Sequence, residues 1–147
     1  MSLTRREIRE KALQSLFQLS ANEDLTPEVA MQQALISSNE LADEVETVLV
    51  PEYLDLLVKG VSENQLTIDE EVQKYLENWS MERLAKTDVV IMRIAIFEML
   101  YVPDVPAKVA LNEALEITKL YSDEKSRKFV NGVLANIVNN LEKKEAE

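Results

Sequence analysis

Residues Asp88–Tyr101, DVVIMRIAIFEMLY, limit the possible folds of this chain more than any other stretch. Ten of these fourteen residues are aliphatic, Ala, Met or Phe, and only Arg93 and Glu98 interrupt the run between Val89 and Leu100. A bilayer-spanning helix needs about 20 predominantly apolar residues, so the run is too short and too charged to cross a membrane. It is long for a buried strand, and no hairpin chemistry follows it. A helix that is apolar on every side belongs in the interior of a bundle. The run therefore predicts the central helix, 88–101, of an all-α fold. About seven helices are expected, in two small bundles sharing a core around it.

Composition supports that class. At 147 residues and 46% hydrophobic, the chain can bury a proper core as a single domain, 1–147. Two glycines in the whole chain leave little for the tight turns of a β-rich fold. Cysteine and histidine are both absent, which removes disulfides, His/Cys zinc sites, thiol nucleophiles and imidazole acid–base chemistry. Met1–Thr4 lead into charged residues without an apolar signal region, so a cytoplasmic protein with no membrane partner is expected.

The net charge of −11 argues at first sight against nucleic acid as a partner, but its distribution reverses that impression. Residues 21–80 hold fourteen acids against Lys59 and Lys74 alone. Residues 1–20 are cationic through Arg5, Arg6, Arg9 and Lys11, and Lys125, Arg127 and Lys128 cluster near 122–130. A soft subdomain boundary is expected near Trp79–Ser80, where the acidic half gives way to the apolar one.

Thr4-Arg5-Arg6-Glu7 reads as a capping box opening a helix that runs to about Leu19. Its apolar face is Ile8, Ala12, Leu13, Leu16 and Phe17, with Glu7, Glu10, Lys11, Gln14 and Gln18 opposite. Arg5, Arg6 and Arg9 fall at the azimuth of the apolar face, so the core stripe turns cationic at the helix end. Either these are snorkelling arginines on an overhanging turn, or the surface is shaped to meet an anion. Thr26-Pro27 starts a helix over 27–37, and residues 40–50 suggest a short acidic helix or loop. Spacings of three and four from Leu54 to Trp79 predict one long helix, with Gly60 as a packing notch. Ser80 is expected to cap a short helix over 81–86, and Thr87 to cap the central one. Helices over 106–121 and 124–142 follow, with Gly132 inside the buried stripe of the second, where close approach of another backbone, protein or ligand, would offset its cost, and with 142–147 frayed.

No catalytic constellation is present. Glu113 and Glu116 share a helix face as in any amphipathic helix, no Glu-x-x-His pair exists for a di-metal bundle, and no glycine-rich phosphate loop occurs. No enzyme activity, metal or cofactor is expected. The two basic helix starts suit binding instead: helix N-termini attract phosphate, arginine and lysine add charge-assisted contacts, and Phe17, Tyr121 or Phe129 could stack on unpaired bases or simply fill the core.

Several blocks together resemble the NusB family of transcription antitermination proteins. They are Arg5-Arg6-x-x-Arg9-Glu10-x-Ala12-Leu13-Gln14-x-Leu16-Phe17; Trp79; Asp88-x-x-Ile91-Met92-Arg93-Ile94-Ala95-x-Phe97-Glu98-Met99-Leu100-Tyr101; Asp104-Val105-Pro106-x-x-Val109-Ala110-Leu111-Asn112-Glu113-Ala114-Leu115-Glu116; and Lys128-Phe129-Val130-Asn131-Gly132-Val133-Leu134. The resemblance implies an all-α protein that binds single-stranded boxA RNA of ribosomal-RNA leader transcripts with NusE, a small-subunit ribosomal protein. The complex would then join the other Nus factors and RNA polymerase. The implied RNA surface is Arg5, Arg6, Arg9, Phe17, Tyr121, Lys128 and Phe129, with Lys125 and Gly132 at its edge, and the implied NusE surface lies around Glu82, Asp88 and Arg93. Glu7 stands where some members carry a basic residue, and Lys125 where an acid can occur. Two alternatives remain at this point: an RNA-recruiting accessory related to the NusB-like domain of ribosomal-RNA cytosine methyltransferases, and a purely protein–protein helical adaptor. Whether the free protein forms a homodimer is open.

Overall fold

A computed structural model of the chain describes residues 3–36, 47–77 and 80–146. Among these are seven α-helices, one 3-10 turn and no strand, which is the all-α class the apolar run demanded. None of these helices is long and apolar enough to cross a membrane. Backbone contacts divide the chain into two compact units, 1–63 and 64–147. The division falls at Glu63–Asn64, ahead of the composition shift near Trp79–Ser80.

The first unit holds α1 (Arg5–Ala21), α2 (Pro27–Ile36) and α3 (Glu52–Glu63), and each packs on the other two. The capping box forms: Thr4 Oγ1 accepts from the Glu7 amide at 3.1 Å, and Glu7 Oε1 accepts from the Thr4 amide at 2.9 Å. Thr26 caps α2 by accepting from the Val29 amide at 3.2 Å. The core contains Ile8, Ala12, Leu13 and Leu16 of α1, Ala30, Met31 and Ala34 of α2, and Leu54, Leu57, Val58 and Val61 of α3, with Gly60 buried among them. The Gln32 amide pairs with both backbone groups of Val48, at 2.8 and 2.9 Å, and so ties down the segment entering α3. Most of the acidic stretch expected over 40–50 lies outside the described residues, and Val48–Val50 carry no regular structure.

The second unit holds α4 (Gln65–Gln73), the turn Met81–Arg83, α5 (Lys86–Tyr101), α6 (Ala107–Tyr121) and α7 (Glu124–Ala146). The expected helix over 52–79 is two helices. Asn64, at φ −113° and ψ 17°, leaves helical geometry for a single residue, which keeps the apolar spacing in phase on both sides. Periodicity therefore registers no break, although Asn competes for backbone hydrogen bonds and disfavours helix interiors. The second helix ends at Gln73, and Glu77 takes a left-handed backbone at φ 56°. Trp79 lies outside the described residues.

The apolar run is buried from Asp88 to Met92 and from Ile94 to Glu98, with Tyr101 exposed at its end, and α4, α6 and α7 pack on the helix. It begins at Lys86, two residues before the expected start. Its N-cap is Ala85 rather than Thr87, without a side-chain bond, and Ser80 makes no capping bond to the 3-10 turn that replaces the helix expected over 81–86. The helix stops at Tyr101, as Pro103 and Pro106 require, and α6 follows with Pro106 at its N-cap. The end of α7 is helical to Ala146 instead of frayed from Glu142, with Lys108 of α6 paired to Glu142 at 3.4 Å.

Candidate nucleic-acid interface

Each unit carries one of the two cationic patches. In the first, Arg5 and Arg6 occupy the exposed opening turn of α1, while Arg9, one turn on, is only 4% exposed. Arg9 thus lies inside with Leu13 and Leu16, and only the first two arginines face solvent. The Arg5 guanidinium carbon lies 3.6 Å from the centroid of the Tyr53 ring of α3. Such a stack contributes about 0.5–1 kcal/mol at an exposed site and holds the planar group while leaving its edge donors available to an oxygen ligand. Nothing in the local sequence marks Tyr53; only the packing of α3 on α1 brings it there.

Lys11 falls on the polar side of α1 by its spacing, but its Nζ reaches α2 and donates to the Ala34 carbonyl at 3.0 Å. Burial pushes its pKa down, against the pull of Glu10 and Glu7. It acts as a tie between helices. Phe17, by contrast, sits at the margin of the buried stripe and is 39% exposed, which leaves a ring face for stacking.

In the second unit the patch surrounds the α6–α7 junction. Tyr121, the last residue of α6, is 42% exposed, and Leu120 beside it is more exposed still. Lys125 and Lys128 are exposed on the first turns of α7, and Phe129 is half-buried. Arg127 is turned to Glu124, with Nη1 at 3.7 Å from the carboxylate. Gly132 corrects an expectation. It is exposed rather than inside the buried stripe, and a Cβ added there would meet nothing within 4 Å, so no backbone among the described residues requires the glycine.

Each helix start already holds a carboxylate. Thr4 and Glu7 close the α1 cap, and hydrogen bonds from the Thr4 backbone and hydroxyl hold the Glu7 carboxyl below its usual range. Asp123 Oδ1 accepts from the Ser126 amide at 2.8 Å, and that bond chiefly lowers the Asp123 pKa. A carboxylate stands where a phosphate would have to sit on the helix dipole. The patches can hold an anion through the exposed side chains of arginine and lysine.

The three residues assigned to a protein surface part company. Glu82 is exposed on the 3-10 turn. Asp88 is 5% exposed and accepts from Ser122 Oγ at 3.1 Å. Arg93 grips Asp69 of α4 with two bonds, Nε to Oδ1 at 2.8 Å and Nη2 to Oδ2 at 2.9 Å. Arg93, implied as part of a partner surface, is thus paired within the second unit.

Comparisons with known proteins agree with this architecture. The profile of the NusB family matches residues 6–139. The chain is 58% identical to the transcription antitermination protein NusB of Enterococcus faecalis, over 95% of this chain and 92% of that one. It is 53% identical to that of Lactiplantibacillus plantarum, over 95% and 98%. Among solved structures, NusB of T. maritima superposes with a TM-score of 0.78 at 34% identity, covering 95% of this chain and 93% of that one. A chain from a crystal structure of the antitermination factors NusB and NusE in complex with dsRNA superposes at 0.76 with 23% identity, covering 92% and 96%, a likeness of fold.

Proposed function

The chain belongs to the NusB family, and from that premise we propose that it is a transcription antitermination factor whose work is binding, not catalysis. Together with NusE it binds single-stranded boxA RNA of ribosomal-RNA leader transcripts. The assembly then joins RNA polymerase and the other Nus factors to suppress termination. Action on nascent transcripts places the protein in the cytoplasm. The observation that carries this reading is the near-full-length relationship to antitermination proteins at 58% and 53% identity.

The two patches support an RNA role residue by residue. Exposed Lys125 and Lys128 beside a half-exposed tyrosine give the pairing of cation and ring that single strands favour, and Arg5, Arg6 and Phe17 repeat it on the other unit. Phe129 and Gly132 extend the second patch along α7. Arg9, being buried, supports the first patch from beneath. The acidic residues of the chain's middle suit a basic ribosomal protein as partner. Glu82 is the residue of the NusE-facing group placed to touch it, while Asp88 and Arg93 shape that face through their internal bonds.

Fluorescence anisotropy with a boxA-containing single-stranded RNA, with and without NusE and across a salt series, tests the reading. Binding should weaken steeply with salt, and Lys128→Ala should reduce the log–log slope by about 0.7, one phosphate contact on a single strand. Salt-independent binding would count against it. Retained NusE binding with no RNA affinity at any salt would select the protein–protein adaptor instead.

A further inference from the structure

Asp88 lies in the first turn of α5, yet its carboxylate serves another part of the second unit. Its Oδ1 takes the hydroxyl of Ser122, the residue that ends α6. Ser122 is extended, at φ −148° and ψ −170°, and its amide donates to the Thr118 carbonyl at 2.8 Å. The next residue, Asp123, starts α7 by accepting from the Ser126 amide with its side chain and from the Arg127 amide with its carbonyl. Ser122 and Asp123 are thus the whole connection between α6 and α7. Tyr121 immediately precedes this connection, and Lys125, Lys128 and Phe129 follow within two helical turns.

Burying a carboxylate costs solvation that an apolar side chain at the same core position would not. Beyond a negative charge in the first turn of α5, which the helix dipole favours, Asp88 adds one directional bond, from a third helix, to the joint that carries the patch. We propose that the Asp88–Ser122 bond is a positioning contact that fixes the α6–α7 joint so that Tyr121 and the lysines of α7 meet RNA in register. This rests on the reading of that patch as RNA-binding. Neither residue touches the RNA in this scheme. Asp88 acts through Ser122, and Ser122 through the orientation of the two helix ends.

The test measures affinity for boxA-containing single-stranded RNA in the presence of NusE, across a salt series, for the intact chain and its Ser122→Ala, Ser122→Thr, Asp88→Ala and Lys128→Ala variants. Ser122→Ala should weaken binding by about three- to tenfold, the range of one lost hydrogen bond to a charged group partly recovered by water, and Asp88→Ala should do the same with NusE at saturating concentration, which removes any effect on the NusE-facing group. Because no phosphate contact is removed, the salt slope should stay at the wild-type value, unlike that of Lys128→Ala. Ser122→Thr keeps the hydroxyl in a backbone conformation that suits a β-branched residue, so it should restore affinity. Ser122→Ala, at a half-buried surface joint, keeps the test open should Asp88→Ala fail to fold, with far-UV circular dichroism as the check. Wild-type affinity in Ser122→Ala alongside a weakened Lys128→Ala overturns the positioning role and leaves the RNA reading standing. A wild-type chain without RNA affinity overturns both.

Discussion

The bond pair between Arg93 and Asp69 is the strongest polar link described between α4 and α5, and its removal has a size that follows from its geometry. The two bonds are 2.8 and 2.9 Å long, and the side chains are 16% and 24% exposed. Breaking a fully buried ion pair by deleting one partner costs about 3–5 kcal/mol, because the survivor is left charged and unpaired. A surface pair is worth about 0–1 kcal/mol. With a sixth to a quarter of each side chain in water, Asp69→Ala should cost about 2 kcal/mol, between those limits. For a chain of this size that lowers the melting temperature by about 6 °C. Arg93→Met should cost less, since a flexible apolar side chain fits a helix that is otherwise apolar. The double variant should cost less than the sum of the two, with a coupling of about 1–2 kcal/mol. Urea unfolding followed by far-UV circular dichroism measures all four corners of the cycle. Additive single effects, or an Asp69→Ala cost under about 0.5 kcal/mol, would refute the claim that the pair organises α4 on α5.

Three further outcomes are expected. Gly132→Ala should stabilise the chain by about 0.5–1 kcal/mol, because the site is an exposed helical position with open space where the methyl would go; a lower melting temperature would show that the glycine is structurally required. The Asp123 carboxyl is held below its ordinary pKa by the Ser126 amide, so its capping contribution is fully present above the unfolded carboxylate value and is lost as pH falls through the depressed one. An acid melt from about pH 5 to pH 2 should show that loss in the wild type and less of it in Asp123→Asn, which keeps an accepting oxygen that does not titrate. Arg9→Ala should lower stability more than it lowers the salt slope of RNA binding, and Arg6→Ala should do the reverse, since only the second arginine is exposed; equal slopes for the two would refute that division.

The sequence alone determined the helical class and most of the core, because burial follows apolar periodicity. A fourteen-residue run with only three charges has no stable place other than an interior helix, and Ile8, Ala12, Leu13 and Leu16 fell inside as their spacing required. Local chemistry was legible for the same reason: the capping box at Thr4–Glu7, Thr26 as a cap and the proline stop after Tyr101 depend on residues within a turn of one another. A one-residue break at Asn64 was not legible, since it leaves the apolar phase intact. Tertiary structure alone decided what the charged residues do. Arg5 rests on Tyr53, Lys11 ties α1 to α2, Arg93 turns to Asp69, and Asp88 turns to Ser122, with partners between 23 and 48 positions away in the chain. A hydrogen bond or ion pair is specific to within a fraction of an ångström, and no spacing rule along one helix says which side chain another helix will bring to it. That is why the cationic ends were visible in the sequence, while the roles of Arg9, Arg93, Asp88 and Gly132 within or beside them were not.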